Sequence, residues 1–437
     1  MSTENHEESH GGAGAGAEGG GALAGIRVLD LSRVLAGPWA SQALGDLGAD
    51  VIKVEHPGHG DDTRAWGPPF LSADGAADGA ADGADGDAER LSAYYLSCNR
   101  NKRSIAIDIA KPDGADIIRR LAADCDVVIE NFKVGGLARY GLDYAALSGI
   151  NPRLVYCSIT GFGQTGPLAP RPGYDFLIQG MSGLMSITGQ TEGEPGSEPL
   201  KVGVAVSDIF TGLYATISIL AALRHRDSTG QGQHIDCALL DTQVSVLANQ
   251  AMNWLVGGMV PGLMGNKHPN VVPYRTFKAR DGHVIVATGN DGQFRALCRL
   301  LGLEEVAASP RFADNASRLA LRDELEGLLA DAIANWDQAA LIAAMAEAGV
   351  PGGPINRIDQ VFAEPHLAER GLVREMTLED GRKVPVVGYP ARLSNSPATY
   401  RRPPPRLGQQ TAEVLEEMLG YSPDRVEQLR SSGVLGG

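Results

Sequence analysis

The chain contains no CxxC pair and no HExxH motif, and its five cysteines, Cys98, Cys125, Cys157, Cys237 and Cys298, stand far apart. These absences exclude a disulfide framework and the usual zinc and dithiol centres, and they favour buried, reduced thiols with no bound metal. Basic residues are in deficit, 38 against 53 acids, and the net charge of −15 opposes binding to nucleic acid or to an anionic membrane. No run reads as long and apolar enough to span a bilayer, and residues 1–21 lack the basic, apolar pattern of an export signal. That Gly-, Ala- and Glu-rich stretch is expected to be a disordered tail, and the protein is expected to stay in the cytoplasm.

Much of the acidity is peripheral. Glu4, Glu7, Glu8 and Glu18 lie in the tail, and residues 71–90 carry six acids against Arg90. The repeated DGA units from Asp74 to Ala88 lack the spacing and closing Glu of a calcium loop, so 71–90 reads as a flexible, solvated insert. Without these segments the chain, with 43% hydrophobic residues over 437 positions, is long enough to bury a core in about two or three domains.

The densest information lies between Gly25 and Arg64, GIRVLDLSRVLAGPWASQALGDLGADVIKVEHPGHGDDTR. Ile26 to Leu31 reads as a buried parallel strand, Pro38 sits where it can open a helix, Gly48 ends that helix, and Asp50 to Glu55 resumes a strand. The first turn, SRVLAGP, lacks GxGxxG spacing, so a dinucleotide loses its strongest support. The α/β alternation continues with strands at Ser104–Ile109, Val127–Glu130 and Leu154–Ile159 and a helix at Asp113–Asp124. GFGQTG does satisfy GxGxxG from Gly161 to Gly166, but Pro167, Pro170 and Pro172 forbid the helix that must follow, so a tight loop is expected.

Asp208 begins DIFTGLYATISILAALRHR, a helix apolar around nearly its whole circumference and therefore expected to be buried. From position alone Asp208 reads as its N-cap, where the carboxylate would stay ionised beside backbone donors. The basic run Arg100, Lys102 and Arg103 is either a solvated turn or a phosphate contact.

Several blocks in order, KVEHPGHGDDTR, NRNKRSIAIDI, DVVIENFKVGGLARYGLDY, NPRLVYCSITGFGQTGP, GYD and SDIFTG, resemble the class III (CaiB/BaiF type) CoA-transferases, from Gly25 to the C-terminus. GNKHPNVVPY and RPPPRLGQQT are most similar to members that exchange CoA between dicarboxylates, such as succinate–hydroxymethylglutarate CoA-transferase. The resemblance implies an α/β fold with a Rossmann-like large domain, a smaller α/β domain and an interlocked, ring-like homodimer. The large domain is placed at 22–245, the small one at 265–355, and 390–437 returns to the large domain. Gly282–Thr288 reads as a strand of the small domain, Gln293–Leu301, Leu319–Ile333 and Gln338–Gly349 as its helices, and Thr411–Leu419 as a returning helix.

In such a family Asp208 is the nucleophile that carries CoA as an aspartyl thioester, and no tightly bound cofactor is needed, coenzyme A being part of the acyl-CoA substrate. Val34, Leu35, Ala36, His56, Ile107, Asn131, Phe132 and Arg139 match CoA-contacting positions, with Arg139 expected on a phosphate. His56 replaces an Arg of some relatives. Gly257 and Gly258 are candidate oxyanion donors. The expected substrates are an acyl-CoA, with succinyl-CoA as donor, and a small carboxylic acid, where Lys267, His268 and Arg275 could hold the second carboxylate of a dicarboxylate and Tyr174 could line the pocket. One alternative is an α-methylacyl-CoA racemase, whose base is a histidine in GHD where this chain has Gly173, Tyr174, Asp175, and a phenol is a poor base at neutral pH. Another is a non-catalytic acyl-CoA-binding protein, against which the retained Asp208 argues.

Overall fold

The computed structural model describes residues 20–71, 77–78 and 90–436. Most of the expected tail and DGA insert therefore lies outside the described residues, although Ala77–Asp78 pairs antiparallel with Phe70–Leu71. The chain forms two compact units, the first from described residues within Met1–Ile178, Ala205–Gln243 and Gly371–Gly437, the second from Gln179–Val204 and Val244–Arg370. Residues 179–204 thus pack with the second unit instead of the expected 22–245 domain, and the return to the first begins at Gly371.

The first unit is built on six parallel strands, β1 (Arg27–Asp30), β2 (Asp50–Glu55), β3 (Lys102–Ala106), β4 (Val127–Glu130), β5 (Val155–Thr160) and β6 (Gln233–Ala238), in the order β3-β2-β1-β4-β5-β6. Their central strands are buried almost throughout because helices cover both faces, as parallel sheets require, and charged residues such as Asp30, Lys53 and Glu55 are buried with the apolar ones. Helix α1 (Ala36–Asp46) links β1 to β2, α2 (Pro112–Ala123) links β3 to β4, and α3 (Val206–Thr229) precedes β6. Val28, Ala40, Leu44, Val51, Ile129, Val155, Ala215 and Ile219 fill one side. Leu29, Ile52, Ile105, Ile118 and Leu121 fill the other with Val414 and Leu415 of α4 (Thr411–Leu419), the returning helix. The strand order reverses between β1 and β4, and in open α/β sheets ligands bind at the carboxyl ends flanking such a reversal.

Two expectations about charge and hydropathy fail here. Arg100, Lys102 and Arg103 are neither solvated nor open to phosphate: Arg100 pairs with Asp46, Lys102 with Asp30 at 3.3 Å, and Arg103 with Asp50 and Glu417, all with buried cationic side chains. Acids scattered through the sequence had already claimed them. Helix α3 is 24 residues long and contains an 18-residue window of mean hydropathy 1.6, enough by length and composition to cross a membrane, contrary to the reading above. Its Thr211, Gly212, Ala215, Ile219 and Ala222 are buried, whereas Phe210, Leu213, Tyr214 and Ile217 remain exposed, so the helix is embedded on one side only.

The second unit has a small antiparallel sheet, β7 (Tyr274–Lys278), β8 (His283–Ala287) and β9 (Gly352–Pro354), in that order. Helices Asp291–Leu300, Arg322–Ile333 and Gln338–Glu347 cover it around Phe277, Val284, Val286, Phe294, Leu297, Leu325, Leu329, Leu341 and Met345. The single helix expected over Leu319–Ile333 is broken at Leu321 into Asn315–Ala320 and Arg322–Ile333.

Candidate active site

Asp208 is not an N-cap. Helix α3 starts at Val206 with Ala205 as its cap residue and no capping bond from Ala205, which places Asp208 third in the helix. The cap is supplied from elsewhere in the first unit: Asp175 Oδ1 accepts the Ser207 N–H at 2.8 Å and the Asp208 N–H at 3.4 Å. Ser207 Oγ donates to Gln243 Oε1 at 2.9 Å and ties the same turn to the segment after β6. These bonds satisfy two of the orphan amides of the helix N-terminus and leave the Asp208 carboxylate free of capping duty.

The Asp208 side chain is half-buried. Burial, with the neighbouring Asp175 charge adding to it, pushes its carboxyl up to about 7. The expected fixed anion is therefore a group that titrates near neutrality, a property common at reacting carboxylates. Burial and then the Asp208 charge also push the Tyr94 phenol up to about 12, so Tyr94 stays protonated beside the site. Nothing in the local sequence around Tyr94 signals this, since it is a matter of folding distance alone.

Asp208 reaches the β1 turn because of Gly212. A Cβ at Gly212 would stand 2.7 Å from the Ala36 carbonyl oxygen and 3.2 Å from Trp39 Cβ, so only glycine lets α3 cross α1 this closely. One helical turn before Gly212, Asp208 shares a cavity with Val34, Leu35, Ala36, Asn131, Phe132, Tyr174 and the GFGQTG loop through Gly161. That loop is the tight turn expected, and it forms a wall by stacking Gly161 on Gly173, where a Cβ on Gly161 would meet Gly173 Cα at 2.5 Å. Arg33, Lys133 and Arg171 give the cavity a cationic rim, and α1 opens into it with no side-chain cap on its first amides.

A second cavity adjoins the first, the two sharing Arg33 and Phe132. It is lined by Leu31, Val54, His56, His59, Ile107 and Ile109, and the His56 and His59 rings stack with centroids 4.3 Å apart. Gly58 N–H donates to His56 Nδ1 at 3.0 Å. Together the cavities form a strip from a nucleophile, past cations and backbone donors, to a slot walled by aliphatic side chains, Phe132 and the stacked histidine pair, with Lys53, Glu55 and Asp61 at its floor.

Seven of the residues expected to contact CoA, Val34, Leu35, Ala36, His56, Ile107, Asn131 and Phe132, line these two cavities. Asn131 does so with its amide already engaged, accepting the Arg33 N–H at 3.0 Å and donating to the Arg33 carbonyl at 2.7 Å. Arg139 lines neither cavity; it is exposed, with its guanidinium 4.5 Å from the Tyr140 ring centre. Lys267, His268 and Arg275 belong to the second unit and are engaged there. Arg275 pairs with the buried Glu326 at 2.7 Å, Lys267 lies 3.7 Å from Asp323, and His268 Nδ1 accepts the Asn270 N–H. Gly258 is no oxyanion donor, because its N–H bonds the Trp254 carbonyl and closes the helix Ala248–Gly257. All five cysteines are buried free thiols.

The sequence matches CoA-transferase family III over residues 23–411. The chain belongs to that family. It is 52% identical over 397 residues to a succinate–glutarate CoA-transferase of Agrobacterium fabrum, covering 91% of this chain and 95% of that one. It is 44% identical over 413 residues to a human succinyl-CoA:glutarate CoA-transferase, covering 94% and 90%. A crystal structure of a CaiB/BaiF family protein from Brucella suis superposes with a TM-score of 0.78 at 50% identity, covering 92% of this chain and all of that one. In this family III chain no histidine among the described residues lines the cavity that holds Asp208, and the position of a racemase's base carries Tyr174, 69% exposed.

Proposed function

We propose that this protein moves coenzyme A from succinyl-CoA to a small dicarboxylate of the glutarate class, with Asp208 as the nucleophile. The observation that carries the reading is that Asp208 lies in one cavity with the β1 turn, at a strand-order reversal, and that this cavity runs into the slot of His56, His59 and Ile107. A long substrate with a reactive thioester at one end and an adenine at the other suits that strip. The names of the relatives supply the acceptor class.

The Asp208 carboxylate attacks the succinyl carbonyl carbon, the C–S bond breaks, and CoA leaves as thiolate with a mixed anhydride on the enzyme. The thiolate attacks the aspartyl carbonyl carbon and releases succinate, which leaves an aspartyl-CoA thioester. The acceptor carboxylate attacks this thioester and again expels thiolate. The thiolate then attacks the acceptor's acyl carbon and restores the Asp208 carboxylate. Thioester energy is retained at every stage and no net proton or electron is required. The start of α1, where no side chain caps the Ala36 and Gly37 amides, borders the cavity and is the place for oxyanion donors, and Arg171 and Lys133 offer cations for carboxylates at the cavity rim.

Two interlocked chains are part of this reading. A single chain leaves Phe210, Leu213, Tyr214 and Ile217 of α3 exposed beside an apolar groove of about 610 Å³ lined by Trp39, Leu96, Ile209, Leu213 and Val387, and burying such surface favours association.

The test is a mass-spectrometric screen of purified protein with succinyl-CoA or acetyl-CoA and a panel of mono- and dicarboxylates, with hydroxylamine trapping during turnover. Glutaryl-CoA formation and modification of Asp208 are expected. Equal transfer to monocarboxylates would sink the dicarboxylate assignment, and α-proton exchange without transfer would favour the racemase.

A further inference from the structure

The residues of the β1 turn are held in an unusual way. Val34 has φ of +73°, a left-handed conformation that a β-branched residue adopts only when its surroundings impose it. Every backbone group from the Ser32 N–H to the Val34 N–H is bound by a side chain of the first unit. Ser32 N–H donates to Asp30 Oδ1 at 2.9 Å, and the Ser32 carbonyl accepts Lys53 Nζ at 3.0 Å. Asn131 accepts from the Arg33 N–H and donates to the Arg33 carbonyl. Val34 N–H points between both oxygens of Asp61, 3.2 Å from each.

Behind these contacts stands one buried ion pair. Lys53 Nζ lies 2.9 Å from Asp61 Oδ2, and both side chains are wholly inaccessible to water. Burial opposes the charge on Asp61, but Lys53 and the Thr63 donors overcome it and hold the carboxyl at about 2. Thr63 N–H and Oγ1 both donate to Asp61 Oδ1, at 3.0 and 2.8 Å, which fixes the plane of the carboxylate. A buried ion pair contributes little net stability against a hydrophobic replacement, so its value here lies in geometry.

We propose that Lys53 and Asp61, assisted by Asn131, are positioning residues that clamp Ser32–Val34 in the strained form required to receive the CoA moiety. Lys53 and Asp61 border the second cavity with side chains closed to water, and their part is to preform the turn from which α1 opens, so that ordering this loop is not charged against binding. This rests on the reading that CoA occupies the two cavities. On this view the sequence-matched position Asn131 serves CoA through the Arg33 backbone.

The experiment compares wild type, Asp61→Asn, Val34→Gly and the double variant. Free CoA is titrated calorimetrically, and kcat and KM are measured with succinyl-CoA and glutarate. Asp61→Asn keeps shape but removes the carboxylate charge and turns an NH2 group toward either Lys53 or the two Thr63 donors, so the ion pair is lost and the side chain no longer holds one plane against the Val34 N–H. It is expected to weaken CoA binding and raise the succinyl-CoA KM about tenfold while kcat changes less than threefold. Glycine adopts φ near +73° without penalty, so in the Val34→Gly background the same Asp61→Asn change should cost threefold or less. Unchanged CoA affinity in Asp61→Asn, or penalties that simply multiply in the double variant, would overturn the clamp. If Asp61→Asn does not fold, Asn131→Ala, which leaves the ion pair intact, is measured in its place against the same tenfold expectation. The calorimetric arm decides the clamp without turnover, whereas a wild type that binds CoA and transfers nothing refutes the proposed reaction instead.

Discussion

Asp175 Oδ1 accepts the amide hydrogens of Ser207 and Asp208, so one carboxylate caps the helix that carries the other and adds its repulsion to the burial that raises the proton affinity of Asp208. Asp175→Asn keeps an oxygen for the cap but removes the charge. The ascending limb of the kcat/KM pH profile, expected near pH 7 in the unsubstituted enzyme, should move to lower pH in this variant. A limb that stays in place would show that Asp175 does not tune Asp208.

Asp208→Asn should abolish transfer and also change stability in a pH-dependent way. The carboxyl ionises at about 7 in the fold and at 3.8 when unperturbed, so between those values the unfolded chain loses a proton that the fold retains. The wild type should therefore lose stability as pH rises from about 4 to 7 and level off above, by at most about 4 kcal/mol, reduced by the water that reaches a half-buried group. The asparagine variant lacks this dependence. Thermal melts at pH 4, 5.5, 7 and 8 compare the two, and parallel curves would contradict the raised value.

Gly212→Ala places a methyl group against the Ala36 carbonyl and Trp39. Separation of α3 from α1 should cost about 1–3 kcal/mol and, by moving Asp208 away from the β1 turn, reduce kcat/KM more than tenfold. Denaturant melts and steady-state kinetics check both, and a fully active, equally stable variant would show the close approach to be unnecessary.

Arg139→Ala should weaken every CoA ester by a similar factor if its exposed guanidinium meets a CoA phosphate. Affinities for succinyl-CoA, acetyl-CoA and free CoA measured side by side settle this. A change for one acyl group alone would make Arg139 a reader of the acyl chain.

Arg275→Ala leaves the buried Glu326 with Arg322 at 3.3 Å and Lys267 at 4.0 Å. The thermal midpoint should fall while the KM for glutarate stays unchanged, because the guanidinium is already committed to Glu326. A raised glutarate KM with an unaltered midpoint would return Arg275 to the acceptor site.

Local order settled a good deal of this molecule from sequence. The alternation of short apolar runs with helical stretches dictates a parallel α/β sheet, and the boundaries of Asp50–Glu55, Val127–Glu130 and Thr411–Leu419 follow directly from where polar residues, glycine and proline interrupt the pattern. Prolines after Gly166 excluded a helix there, and the ordered motifs singled out Asp208. Pairings between distant residues are different in kind, because nothing local encodes them. The cap on α3 comes from Asp175, the counter-ions of Arg103 include Glu417, and Lys53 meets Asp61 only once β2 and the following turn are folded. The same holds for Arg275, whose charge reads as available in sequence and is engaged by Glu326 in the fold. Hydrophobic periodicity is a property of neighbours along the chain and survives in the sequence. Electrostatic pairing and the proton affinity of Asp208 depend on distance and burial, which exist only after the chain has packed.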